Sequence, residues 1–88
     1  MAITVYSTEF CTQCRMTKHI LERDGIVYTH VDLSSDLDAY RFVTRELGHS
    51  SAPVVFAVFP DEHVEHWSGL QPQRLEKYIE ATKTGAAA

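Results

Sequence analysis

Cys11 and Cys14 are the only cysteines in the chain, and they stand two residues apart in Ser7-Thr8-Glu9-Phe10-Cys11-Thr12-Gln13-Cys14-Arg15-Met16. Such a pair can be half of a tetrahedral metal site, a structural disulfide or a reactive dithiol. In the third case a Cys11 thiolate attacks a client disulfide, and Cys14, one helical turn on, attacks the mixed disulfide that results. A metal site would need a second half, for which His63-Val64-Glu65-His66 is the candidate. Between Cys14 and His63, however, lie 48 residues, against roughly 12–15 in a finger-like pattern. On a strand, residues 63 and 66 would also project to opposite faces. His19, His30 and His49 lack partners at ligand spacing and read as surface or rim residues, so no metal is expected. Asp32 reads as a strand-end or turn residue, the alternative being a remote proton acceptor for the buried thiol.

A cysteine at the mouth of a helix meets unpaired backbone N–H groups and the positive end of the helix dipole, both of which favour the thiolate. Lowering Cys11 from about 8.5 to about 7 would raise its thiolate fraction at pH 7 from roughly 3% to roughly 50%. Reduced basicity takes back about fivefold, which leaves a net gain in attack of about threefold. More is gained in departure, because a low-pKa sulfur leaves readily and exchange then runs in both directions.

The elements that would place the pair there are legible in the pattern. Ile3-Thr4-Val5-Tyr6 alternates as a short strand, and 12–24 reads as a helix with Met16, Ile20 and Leu21 on one face, stopped by Gly25. Residues 27–32 form a second strand with Val27, Thr29 and Val31 on one side. Leu37, Tyr40, Val43 and Leu47 recur at helical spacing over 36–47, ended by Gly48. After the 49–52 loop and Pro53, the run 54–59 is apolar on both faces, as a central strand covered by helices should be. A turn at 60–62 leads to an antiparallel strand over 63–67, and Pro72 opens a last helix bearing Leu75, Tyr78 and Ile79. The order β-α-β-α-β-β-α, with a right-handed crossover, predicts an α/β fold: a four-stranded mixed sheet with helices on both faces, a thioredoxin-like layout.

At 88 residues and 44% apolar composition, the chain suits one domain with a single core, over 1–82, followed by a frayed tail over 83–88. The first residues lack a basic lead-in and an apolar stretch, and no apolar run approaches the roughly 18–20 residues of a membrane span, which predicts a cytoplasmic chain without a membrane partner. In that reducing compartment a Cys-x-x-Cys is more often catalytic or metal-binding than a permanent crosslink. The net charge is −4 and the eight Lys and Arg are scattered, so no nucleic-acid footprint is present.

Taken with Ala52-Pro53 before the central strand and Trp67-Ser68-Gly69 before the last helix, the Cys-x-x-Cys makes the chain resemble the glutaredoxins, most of all the NrdH-type redoxins, over residues 2 to about 80. Cys11-Thr12-Gln13-Cys14 is similar to that family's Cys-Val-Gln-Cys, and Ser51-Ala52-Pro53-Val54 to its Gln-Ala-Pro-Val. Trp67-Ser68-Gly69-Leu70-Gln71-Pro72 is similar to its Trp-Ser-Gly-Phe-Arg-Pro. The resemblance implies a redox-active Cys11–Cys14 disulfide with Cys11 as nucleophile and Cys14 resolving, and a cis Pro53 facing them. It also implies a client surface made of Thr12, Gln13, Ala52, Pro53, Trp67, Ser68 and Gly69. The backbone before Pro53 would offer a strand edge to a bound peptide, and Trp67 a hot-spot contact, the other reading being a core aromatic.

The same resemblance implies a monomeric thiol–disulfide oxidoreductase with no bound cofactor, which takes NADPH electrons through thioredoxin reductase. Its implied client is the large subunit of class Ib ribonucleotide reductase. The alternatives are a redoxin using a low-molecular-weight thiol such as glutathione or mycothiol, and a non-catalytic binding module of the same fold. Three segments depart from the family. Thr8-Glu9-Phe10 stands where Lys-Pro-Ala is common, Leu70-Gln71 replaces Phe-Arg, and the hairpin over 59–65 is longer. A single charge reversal at an exposed site should alter the Cys11 pKa modestly and partner choice more.

Overall fold

The computed structural model describes residues 1–84. Strand β1 (Ala2–Ser7) buries Ile3, Val5 and Ser7 on one face, and helix α1 (Thr12–Arg23) follows it. Strand β2 (Thr29–Asp32) returns parallel to β1, with Thr4 opposite Thr29 and Ser7 opposite Asp32. Strands β3 (Val54–Val58) and β4 (Val64–Ser68) complete a sheet of order β2-β1-β3-β4, with β1–β3 and β3–β4 antiparallel. Helix α2 lies over Leu37–Arg41 and α3 over Pro72–Thr84. The fold is the expected mixed four-stranded sheet with helices on both faces.

The larger core lies under α1 and α3. Val5, Val55 and Trp67 stand side by side across three strands and meet Ile20 and Leu21 from α1 and Leu75, Tyr78 and Ile79 from α3. At the outer ends of the two helices Arg23 pairs with Glu76 at 2.8 Å and Lys83 with Asp24 at 3.1 Å. On the other face Phe42 sits between Tyr6 and Phe56, with ring centroids 6.1 and 5.9 Å apart.

Several boundaries differ from the pattern-based reading. Met16 points outward on α1, because the inward stripe is Cys14, Thr17, Ile20 and Leu21; a small polar pair takes the place the apolar count gave to Met16. Val27 lies before β2 and is exposed, the β1–β2 pairing beginning only at Thr4 and Thr29. The helix expected over 36–47 is regular only through Arg41; from Phe42 to Glu46 it widens into a π-helical turn, closed by Leu47 N–H donating to the Phe42 carbonyl at 3.0 Å. A wider turn rotates the following residues relative to those before. Val43 and Phe42 therefore reach the sheet while Leu37 and Tyr40 remain exposed. Lys83 and Thr84, assigned to the tail, belong to α3, and the rest of that tail lies outside the described residues.

Across the hairpin from β3, a surface ion network holds β4. His63 hydrogen-bonds Asp61 and, at 2.9 Å, Glu65, which also receives Lys77 at 2.8 Å. Bonds to Glu65 and then Asp61 raise the His63 pKa above its ordinary value. Bonds from Lys77 and His63 lower Glu65, and bonds from His63 lower Asp61. A raised histidine stabilises the fold fully below its unfolded pKa of about 6.5 and stops doing so as pH rises through the folded value. The lowered carboxylates stabilise above about pH 4 and cease to as pH falls through their folded values. The melting-temperature difference between wild type and His63→Gln is therefore expected to peak between about pH 4.5 and 6.5 and to shrink toward pH 8.5. A difference that grows toward alkaline pH would contradict it.

Candidate redox site

Cys11 is the N-cap of α1. Its sulfur accepts the Cys14 backbone N–H at 3.1 Å and is joined to Cys14 as a disulfide. The two cysteines differ in access: Cys14 is 1% exposed beneath the first turn, whereas Cys11 is partly exposed at the helix mouth. Thr12 and Gln13 are exposed on that turn. A free Cys11 thiolate in this position faces the N–H groups that a helix start leaves unpaired.

Two further segments close around it. The Ala52–Pro53 peptide is cis, and the Pro53 carbonyl accepts the Gly69 N–H at 2.8 Å. The Gln13 side-chain oxygen accepts the Leu70 N–H at 3.2 Å, tying the helix mouth to the turn at Ser68-Gly69-Leu70. Gly69 needs its lack of a side chain for conformation, its φ being +85°, rather than for space. The Gln13 tether is expected to contribute about 0.5–1.5 kcal/mol. Gln13→Ala should lower unfolding stability by that amount and speed hydrogen exchange at the Leu70 amide; unchanged exchange there would show the tether idle.

Of the residues expected at the client surface, Gln13 reaches the turn at Ser68-Gly69-Leu70 and Gly69 bonds the carbonyl of Pro53, which follows Ala52; Thr12 is exposed on the helix turn, the Pro53 side chain is buried, and Trp67 does not join them. Its ring is 3% exposed, in the core under α3, because position 67 pairs with Val55 and alternation along β4 turns it inward. It is a core aromatic. The Arg74 guanidinium covers it at 5.4 Å from the ring centroid. Asp32 acts at a turn, its carboxylate accepting the Ser34 N–H at 2.8 Å.

Three of the histidines are engaged with one another or with aromatic side chains. His66 projects from the face opposite Trp67, stacks on Phe56 and meets His49 at 2.8 Å, while His63 stacks on Phe59 with centroids 4.3 Å apart. Burial first, and then His66, lowers the His49 pKa. Among the described residues no group of three or more His, Cys, Asp or Glu side chains is placed to hold a metal ion.

Sequence reading passed over Arg15 and Lys18. With Thr8, Phe10, Cys11 and Cys14 they line a cleft of about 280 Å³ beside the disulfide. The signal was present in the spacing: each lies four residues after a cysteine, on the same face of α1. Phe10, immediately before Cys11, is fully exposed with a left-handed φ of 56°, a conformation that costs an ordinary side chain roughly 1–2 kcal/mol.

A Cys-x-x-Cys at the mouth of the first helix of this sheet is the arrangement of a thioredoxin-like thiol–disulfide oxidoreductase. A glutaredoxin family model matches residues 3–64, and the chain belongs to the glutaredoxin family. It is 35% identical over 86 residues to the Gene 56 protein of Mycobacterium phage L5, covering 94% of this chain and 80% of that one. With the glutaredoxin-like protein NrdH of Salmonella typhimurium it shares 31% identity over 77 residues, 88% of each chain. The solved NrdH-redoxin of Escherichia coli superposes with a TM-score of 0.76 at 28% identity, covering 88% of this chain and 93% of that one. Among the described residues no helix is long and apolar enough to cross a membrane.

Proposed function

We propose that the chain is an NrdH-type dithiol electron carrier of the cytoplasm, monomeric and without a bound cofactor. The observation that carries this is the unequal access of the two sulfurs: Cys11 at the capped helix mouth and Cys14 beneath it. The Cys11 thiolate attacks one sulfur of a client disulfide. The Cys11–client S–S bond forms, the client S–S bond breaks, and the departing client thiolate takes a proton. Cys14 then loses its proton and attacks Cys11, closing the Cys11–Cys14 disulfide and releasing the second client thiolate. Two electrons pass to the client, and the two cysteines are oxidised together.

The client backbone pairs in β-addition mode with the backbone before Pro53, at Ala52, flanked by Thr12, Gln13, Ser68 and Gly69. Thioredoxin reductase restores the dithiol with electrons from NADPH, and the client is the large subunit of class Ib ribonucleotide reductase. Similarity to NrdH proteins across almost the whole chain supports both assignments. The test is NADPH oxidation coupled through thioredoxin reductase, compared with glutathione plus its reductase. Turnover with the first system is expected. Turnover with glutathione alone would overturn the choice of reductase.

A further inference from the structure

Resting on the dithiol reading above, we infer that the client segment presented to Cys11 is acidic and lies along α1, its carboxylates received by Arg15 and Lys18. The disulfide cleft does not end at Lys18. A second groove of about 610 Å³ runs on beside α1 toward β2, and Arg15 and Lys18 line both hollows. His19, Tyr28 and His30 extend the second one. Its one acid, Glu22, accepts the neutral Tyr28 hydroxyl at 2.5 Å and pairs with neither cation, leaving the groove lining with two basic side chains against one carboxylate. Glu9, exposed beside Phe10, lines neither hollow.

Charge usage and position together distinguish these two cations. Arg23, Arg74, Lys77 and Lys83 each pair with a carboxylate of their own chain. Among the described residues Arg15, Lys18, Arg41 and Arg45 enter no ion pair, although the chain carries a net charge of −4, and of these four Arg15 and Lys18 alone line the disulfide cleft. Two unneutralised cations flanking an open nucleophile on an acidic protein focus anions onto that spot. Phe10, held outward at the rim of the same cleft, adds an apolar contact. The occupant is thus a client chain with carboxylates close to its disulfide. A uniformly acidic surface would instead repel such a chain, so the two views predict opposite preferences.

The test uses two synthetic peptides, each closed by a Cys-x-x-Cys disulfide and identical except that Asp residues in one are Asn in the other. Stopped-flow rate constants for their reduction by the pre-reduced protein give a ratio, which cancels differences in active protein between samples. At about 10 mM salt, where charges act over about 30 Å, the acidic peptide should react about tenfold faster, and the ratio should fall to near one at about 1 M salt. Combined Arg15→Glu and Lys18→Glu should bring the low-salt ratio to one or below, whereas Arg41→Glu with Arg45→Glu, on the far helix, should keep it. A ratio near one in the wild type, or one that survives the Arg15 and Lys18 reversal, would overturn the inference and leave the dithiol reading standing. Reduction of neither peptide would overturn both.

Discussion

Cys11→Ser is expected to lower the rate of disulfide reduction by at least about a thousandfold, because the reaction needs a thiolate and a serine hydroxyl supplies no comparable nucleophile at neutral pH. Cys14→Ser should behave differently. The first attack remains possible, resolution does not, and a client joined through Cys11 should accumulate as a species cleaved by excess reductant. Access makes this division of labour physical, since a client sulfur can approach Cys11 in line while Cys14 lies under the first turn of α1. Non-reducing electrophoresis and intact mass of the two variants with a client disulfide check it. Equal trapping by the Cys11→Ser and Cys14→Ser proteins would remove the distinction. A binding module without turnover would retain the client noncovalently in both.

Trp67→Ala should destabilise the fold by about 3–5 kcal/mol, the cost of emptying an aromatic-sized space in a packed core. A domain of this size has roughly 4–13 kcal/mol in all, so the variant sits near the edge of folding at ordinary temperatures. The ring lies beside Val55, among Leu75, Tyr78 and Ile79, and among the described residues its indole N–H has no hydrogen-bond partner. Trp67→Phe keeps most of the packing and removes that unpaired donor, so it should lose much less stability. Client reduction by the Phe variant should match wild type. Urea unfolding gives the first quantity and stopped-flow reduction the second. A Trp67→Phe protein of normal stability that reduces clients slowly would return Trp67 to the client surface.

The succession of strands and helices was readable in the sequence because alternation in β1 and the doubly apolar run of β3 reflect burial on one face and on two. The dithiol was readable because two cysteines three positions apart at a helix start have few uses. What escaped reading depended on neighbours distant in the chain. Trp67 precedes a turn that resembles a binding segment, and only its register with Val55 shows that the ring points inward. Leu37 and Tyr40 keep helical spacing with Val43, yet the π-turn that separates them from the sheet answers to Phe42 packing between Tyr6 and Phe56. His49 and His66 look like isolated surface residues until β4 brings them within 2.8 Å of each other. Arg15 and Lys18 have ordinary helix-surface identities, and their meaning comes from the cleft and from the ion pairs they do not make.

The attacking role of Cys11 rests on the inequality of the two sulfurs, and pulse alkylation reads that inequality. The fully reduced protein, exposed to iodoacetamide for increasing times at neutral pH and mapped by mass spectrometry, should carry its first label on Cys11. Cys14 should follow at least about tenfold more slowly, since it lies buried under the first turn of α1, out of the reagent's reach. Labelling of Cys14 first, or of both cysteines at one rate, would contradict the assignment of Cys11 as the attacking sulfur.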